Sequence, residues 1–336
     1  MRETRRGLPP AFGDATESRF TYNLGVPLDQ LDHSSPLCEA YSRVSFRAWQ
    51  LSDGMRQGIE LKTVLSWIGA LKDQPVPQEN LRLVQLCTEA GAAVMACRAS
   101  LDLTPGMYGL IDIGAWTTDI SFFRHVALKV TNDGLSSIEF YAAGTYRVAV
   151  NEVDERTLRG LFELWDLQQS EQQERRPPLC VATVRVQRET QQFGMEWFEI
   201  EKRQRTPTNA TLQFARECVR ERVLDGVLKT LRQAREKERS ASAFQGLRIF
   251  VIGGGSRERI LWEDIQREIP LVQSIEVLPL LQFESPVPAD VAQRLTIAAG
   301  LAVPLALWDR IFLPSQVEPV RPRPARDWIT FGYEDT

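Results

Sequence analysis

Two glycine-rich segments carry the residues best suited to chemistry in this 336-residue chain. Asp112 to Asp119 reads DIGAWTTD, and Gly253 to Ser256 reads GGGS. Glycines let a backbone approach a polyanion and present N–H groups to it, and a helix restarting at Arg257 would add the positive end of its dipole. Each segment is therefore a candidate phosphate cradle, and each is equally readable as a plain tight turn. Other chemistries have little material. His33 and His125 are the only histidines, too few for a histidine metal site or a Ser-His-Asp triad. The five cysteines, Cys38, Cys87, Cys97, Cys180 and Cys218, contain no C-x-x-C pair and indicate neither a disulfide framework nor zinc. The patterns G-x-x-x-x-G-K-[ST], G-x-G-x-x-G and G-x-S-x-G are all absent.

The elements that must position these segments are legible in the apolar spacing. Tyr108 to Gly114 (YGLIDIG) reads as a strand, and Asp119 to Arg124 as its hairpin partner across the turn AWTT. Leu247 to Ile252 (LRIFVI) is a continuous apolar run of the kind buried on both faces, stopping at GGGS. Arg19 to Leu28 reads as a strand entering a Gly-Val-Pro turn, and two helices follow it. Ala40, Val44, Ala48 and Leu51 stripe the first helix, and Leu61, Val64, Leu65, Ile68 and Leu71 the second, both as core faces. Further short strands are expected at Leu81 to Leu86, Ile138 to Ala142 and Ser274 to Leu281, and a second hairpin between Val181 and Ile200. Helices are expected at Glu89 to Ala99, Val150 to Trp165 and Ala289 to Val303. A long helix after Pro207 shows Ala215, Val219, Val223 and Val227 on one face, beside Leu224, Leu228 and Leu231.

Composition sets the outer limits. Forty basic against 44 acidic side chains give a net charge of −4, which removes the electrostatic footprint of general nucleic-acid binding. The longest apolar stretch, Leu295 to Trp308, contains Pro304 and is too short to cross a bilayer, and MRETRRGLPP has no apolar signal core. The expectation is a cytoplasmic α/β protein of two lobes, with no membrane and no nucleic acid among its partners.

The order of motifs then supports a resemblance. YGLIDIGAWTTDISFF resembles the second phosphate loop of the actin-like ATPase superfamily, a hairpin of the form D-x-G-x-G-T-x-D. TEAGAAVMA upstream resembles its first connecting helix, IFVIGGGS its adenosine motif, RLTIAAGLA its second connecting helix, and RFTYNLGVPL the strand ending in Val-Pro. Within the superfamily the sequence looks closest to the seventy-kilodalton heat-shock chaperones. The resemblance implies an actin-like, ribonuclease-H-like α/β fold with a complete second lobe and a partial first one. It divides the chain into an irregular N-terminus (1–18), a partial first lobe with the connecting helix (19–106), a second lobe (107–303) and a C-terminal tail (304–336). It implies ATP and Mg²⁺ as ligands. Glu89 matches the glutamate that positions the attacking water, and Asp112 the aspartate that holds magnesium through water. Gly114, Ala115, Trp116, Thr117 and Thr118 match the run along the phosphates, and Gly253, Gly254, Gly255 and Ser256 the run against the adenosine. The alternative for Glu89 is a helix-start carboxylate favoured by the dipole.

Two departures qualify the implied activity. Trp116 stands where the family has a glycine, which strains the tip if the position needs positive φ and fills the phosphate space if it points inward. The family's first phosphate loop and the small subdomain with its lysine have no counterpart before Arg19. That leaves a sheet edge open for strand addition, and a separate chain completing the first lobe, or a truncated reading frame, is expected. The functional expectation is a chaperone-like ATP-binding protein with a protein client or partner, hydrolysis being doubtful in this chain alone. The alternatives are a non-catalytic interaction platform with a degenerate site and an actin-like filament or segregation protein.

Overall fold

The computed structural model describes residues 22–33, 35–54, 84–97, 103–127, 136–153, 155–157, 208–278 and 295–320, with isolated positions between 63 and 76. The hairpin expected between Val181 and Ile200 lies outside the described residues, as do most of the second striped helix and the start of the helix expected at Ala289. The α/β class expected from the sequence is the class found.

A six-stranded mixed sheet dominates. β3 (Gly106–Ile113), β4 (Thr118–Val126) and β5 (Ser137–Tyr146) form an antiparallel meander. β6 (Leu247–Ile252) adds parallel to β3, β7 (Val272–Val277) parallel to β6, and β8 (Arg310–Phe312) parallel to β5. β8 falls within the stretch expected as tail, so the sheet continues past residue 303. A separate parallel pair joins β1 (Tyr22–Val26) to β2 (Val84–Thr88).

Period-two alternation sorts each strand between two apolar layers. Ile111, Ile113, Ile120, Phe122 and Val251 face α4 (Thr208–Glu238), whose Ala215, Val219, Val223, Val227 and Leu231 are buried, as the sequence pattern predicts. Tyr108, Leu110, Phe123, Phe140 and Phe250 face the opposite way, toward α3 (Glu89–Cys97). On α3, Ala92, Ala93 and Val94 are fully buried, and α6 (Thr296–Ala302) packs against it. The approach is close because Gly300 has no side chain: a Cβ there would collide with the backbone carbonyl of Ala92.

Local expectations fail in two places. α1 (Leu28–His33) and α2 (Ser35–Gly54) follow β1, but the α2 stripe faces outward: Ala40 and Ala48 are exposed and Val44 is 68% exposed. Ser45 and Phe46 are buried instead, because the neighbours of α2 among the described residues, α1 and β2, lie on that other side. No α-helix restarts at Arg257. Gly254–Arg257 and Arg259–Leu261 are single 3₁₀ turns, and α5 (Ile265–Glu268) is the first α-helical turn thereafter. Three glycines are poor helix formers, and Ser256 donates its hydroxyl hydrogen bond back to Gly253 O (2.8 Å).

Candidate functional site

The chemistry-bearing carboxylates meet where β3 and β4 leave their hairpin. Asp112 shares the strand face of Leu110 and stands directly opposite Asp119 in the register. Cross-strand partners have Cβ atoms about 5 Å apart, so two carboxylates placed this way repel each other. Glu89 arrives from a different direction. Thr88 caps α3 by accepting the Gly91 N–H at its hydroxyl (2.9 Å), and Glu89 is the first residue of that helix. Asp29, in the first turn of α1, comes from a fourth segment, and all four carboxylates line one cavity with Thr145 of β5. The volume is about 20 Å³, room for one water or one ion.

Electrostatics follow from that crowding. Burial, then the charge of Asp119, pushes the Glu89 carboxyl up to about 7. Burial, then Asp119, then Glu89, pushes Asp112 up to about 7 as well. Asp119 is also raised, by burial first and by Asp29, against the lowering effect of hydrogen bonds from Thr145 and Thr117.

Thr145 stands between the remaining two carboxylates. Its hydroxyl lies 2.7 Å from Asp29 Oδ1 and 2.5 Å from Asp119 Oδ1, yet it carries one proton. Its backbone N–H also donates to Asp29 Oδ2 (3.3 Å). The hydroxyl's hydrogen bond to Asp119 favours the Asp119 carboxylate against the raising effect of burial. Asp29 and Thr145 were not singled out in the sequence. The only signal for Asp29 is an acidic residue in a helical first turn, and nothing local marks Thr145.

The other sequence candidates sit elsewhere. Ala115, Trp116 and Thr117 line a second recess of about 500 Å³ on the outer side of the hairpin tip, with Arg147, Asn151, Arg156 and Arg222. Gly114 N–H donates to Thr117 O (2.9 Å), and the carbonyls of Gly114 and Ala115 accept the N–H groups of Val150 and Asn151. Trp116 is 69% exposed. Its backbone is unstrained, since Arg239 is the one non-glycine residue with positive φ among the described residues. Thr118 is fully buried and its hydroxyl donates to Val148 O (2.6 Å). Gly253 to Ser256 line neither cavity. Gly253 takes φ 82°, and a Cβ there would collide with Asp112 Oδ1, so the glycine turn backs directly onto the catalytic-candidate carboxylate. Ser256 is buried, and its carbonyl accepts the Trp262 indole N–H (2.9 Å).

The donor set fits magnesium in one particular way. All candidate ligands are hard oxygens carrying excess negative charge, as Mg²⁺ prefers. Among the described residues no three side chains converge closely enough to cage a metal by themselves. One or two carboxylates, with water at the remaining positions, is what remains, and Mg²⁺ usually keeps several of its waters in this way.

Comparison with known proteins gives similarity of shape only. No family model matches the chain, and no curated protein matches it. Among solved structures it aligns with a non-polymerisable quadruple mutant of pCBH ParM, at 15% identity and a TM-score of 0.39, over 66% of this chain and 54% of that one. It aligns with a 15-stranded ParM filament from Clostridium botulinum at 15% identity and a TM-score of 0.39, over 68% and 54%. Ta0583, an archaeal actin homolog, aligns at 13% identity and a TM-score of 0.37, over 65% and 54%. The chain thus spans about half the length of the structures it matches. At this level of similarity the functional reading rests on the residues of the site. Among the described residues no helix is long and apolar enough to cross a membrane.

Proposed function

We propose that the chain binds a magnesium nucleotide, ATP by the family resemblance, beside the Glu89–Asp112–Asp119 cavity. The observation that carries this reading is the convergence of mutually repelling carboxylates from α3, β3 and β4, a cost to the fold that a bound cation would relieve. Bound Mg²⁺ would supply charge neutralisation and orientation of phosphate oxygens. In this reading Asp112 holds a magnesium water through its oxygens. Glu89, with a carboxyl near 7, accepts or returns a proton at neutral pH. The backbone of Gly114 to Thr117 runs along the phosphates. A nucleotide is far larger than the closed cavity, so binding requires separation of the α1 side, which carries Asp29, from the β3–β4–β5 strands. That separation is the conformational signal a protein client or partner would read, in keeping with the heat-shock-chaperone order of the motifs. Nucleotide binding, rather than hydrolysis by this chain alone, is the activity proposed.

A non-catalytic platform has its own support, because the hydroxyls of Thr118 and Ser256 are committed inside the fold. A thermal-shift titration with Mg-ATP, Mg-ADP and Mg²⁺ alone separates the two. A saturable ATP-dependent rise that Asp112→Ala abolishes is the expected result. A flat response from a cooperatively folded sample overturns nucleotide binding and leaves the platform. Light scattering in the same Mg-ATP samples reports the filament alternative.

A further inference from the structure

The wall that closes the carboxylate cavity is fastened to the sheet by hydrogen bonds as well as by packing. Pro27, Leu28 and Asp29 form that wall where β1 runs into α1. The carbonyl of Pro27 accepts the N–H groups of Gln30 and Leu31 (both 3.1 Å), which fixes Asp29 on the first turn. From there the Asp29 carboxylate meets β5 twice, taking the Thr145 hydroxyl at Oδ1 (2.7 Å) and the Thr145 N–H at Oδ2 (3.3 Å). Asp29 precedes α3 and Thr145 follows it, so the contact joins the two parts of the chain that α3 connects.

The sheet sets up this contact and also opposes it. Among the described residues β8 pairs with β5 at Ser137, Ile138 and Glu139, and Thr145 lies beyond that pairing. Its N–H is therefore on a strand edge with no neighbouring strand, where a donor needs water or another partner, and Asp29 supplies one. Against the contact stands Asp119, directly across from Thr145 in the register, whose Oδ1 lies 2.5 Å from the same hydroxyl. Two carboxylates held on one hydroxyl repel each other, so opening the wall trades hydrogen bonds for hydrated groups and relief of that repulsion. An element whose two arrangements are balanced in this way is what a switch requires. We propose that the Asp29–Thr145 contact is an autoinhibitory clasp: fastened, it holds α1 over the carboxylate cavity and keeps ligands out, and released, it admits them. That the ligand admitted is a magnesium nucleotide rests on the function proposed above, whereas the clasp itself belongs to the ligand-free chain. Apparent affinity falls with the fraction of molecules able to bind, so the clasp sets nucleotide affinity without touching the nucleotide.

Ser121 lines the same cavity and is buried, so Ser121→Cys places a thiol there that methyl methanethiosulfonate reaches when the wall opens. The measurement is the labelling rate of that thiol in the full chain without nucleotide, resolved from the native cysteines by peptide mass spectrometry, across urea concentrations below the unfolding transition. Local opening exposes little surface, so the rate should be nearly flat in urea, whereas labelling through global unfolding climbs steeply. Added to this parent, Asp29→Ala removes both hydrogen bonds and should raise the flat rate about tenfold, and Thr145→Val, which keeps the N–H bond, about fivefold. Thr145→Ser keeps the hydroxyl and should leave the rate at that of the parent. Rates unchanged by Asp29→Ala and Thr145→Val overturn the clasp, and so does labelling that follows global unfolding in every variant. A thermal-shift titration with Mg-ATP then separates the clasp from its ligand, with Asp29→Ala expected to bind about tenfold more tightly than the parent. Faster labelling with no Mg-ATP response in any variant overturns the nucleotide reading and leaves the clasp standing. Faster labelling with an unchanged Mg-ATP affinity overturns the clasp as a gate.

Discussion

Asp112→Asn removes a carboxyl whose ionisation the fold opposes. Burial, then the charges of Asp119 and Glu89, raise it from 3.8 to about 7. The folded state therefore holds that proton more tightly than the unfolded chain does. The resulting stabilisation is complete below 3.8 and is lost as pH rises, until it is gone above about 7. At ~1.4 kcal/mol per unit, the wild type gives up at most about 4 kcal/mol across that window, and sharing the proton with Glu89 and Asp119 brings the part removed by one substitution nearer 2. Asparagine keeps the shape and never ionises. The variant should match the wild type at pH 4 and exceed it at pH 8 by about 2 kcal/mol, or roughly 4 to 8 °C in melting temperature. The assay is thermal unfolding from pH 4 to pH 8 in chelator, repeated with Mg²⁺. Magnesium at pH 8 should raise the wild type toward the variant and leave the variant unchanged. A difference that is constant across pH, or a variant less stable than wild type at pH 8, would refute the electrostatic account of this cavity.

Trp116→Gly should leave any Mg-ATP affinity in a thermal-shift titration within about threefold of wild type, because the indole lies outside the carboxylate cavity; a gain of tenfold or more would show that it blocks the phosphates. Gly300→Val forces a side chain into the Ala92 backbone and should cost about 3 kcal/mol in denaturant unfolding, so an unaffected midpoint would contradict the close contact of α3 and α6. Thr145→Val removes the hydroxyl that lies between Asp29 and Asp119 and should cost about 1 to 2 kcal/mol. That loss should be larger at pH 8 than at pH 5, because the hydroxyl favours the ionised form of Asp119, and equal losses at the two values would argue against that stabilisation.

Where the sequence carried two constraints at once, it placed the element correctly. LRIFVI is apolar at every position but Arg248 and bounded by glycine on both sides, so both the strand and its ends are marked. The face of α4 is legible because its buried residues recur over many turns along one helix. The α2 stripe had the same periodicity and still faces outward. Periodicity identifies an apolar face, but burial also requires a neighbour on that side, and the neighbour is set by topology. The missing helix after GGGS has a similar origin. A phosphate-loop reading expects a dipole there, whereas the glycines close a tight turn that packs Gly255 against Ile113 and Val150.

The site was legible only as far as local sequence reaches. Asp112 and Glu89 are each marked by position, one at a strand end and one at a helix start. Asp29 and Thr145 meet across 116 residues of chain, and no spacing rule connects an acidic helix start to a threonine on the third strand of a meander. The same limit governs Trp116. From the motif alone, a tryptophan in a glycine position implies either backbone strain or a filled phosphate site. Both implications assume that the glycine is needed for its φ or for inward space. Here the tip is built without a left-handed residue, and the carbonyls of Gly114 and Ala115 are held by the amides of Val150 and Asn151. That anchoring leaves the tip free to turn its side chain outward, so the tryptophan in the glycine position walls a recess on the other side of the tip instead of filling the carboxylate cavity.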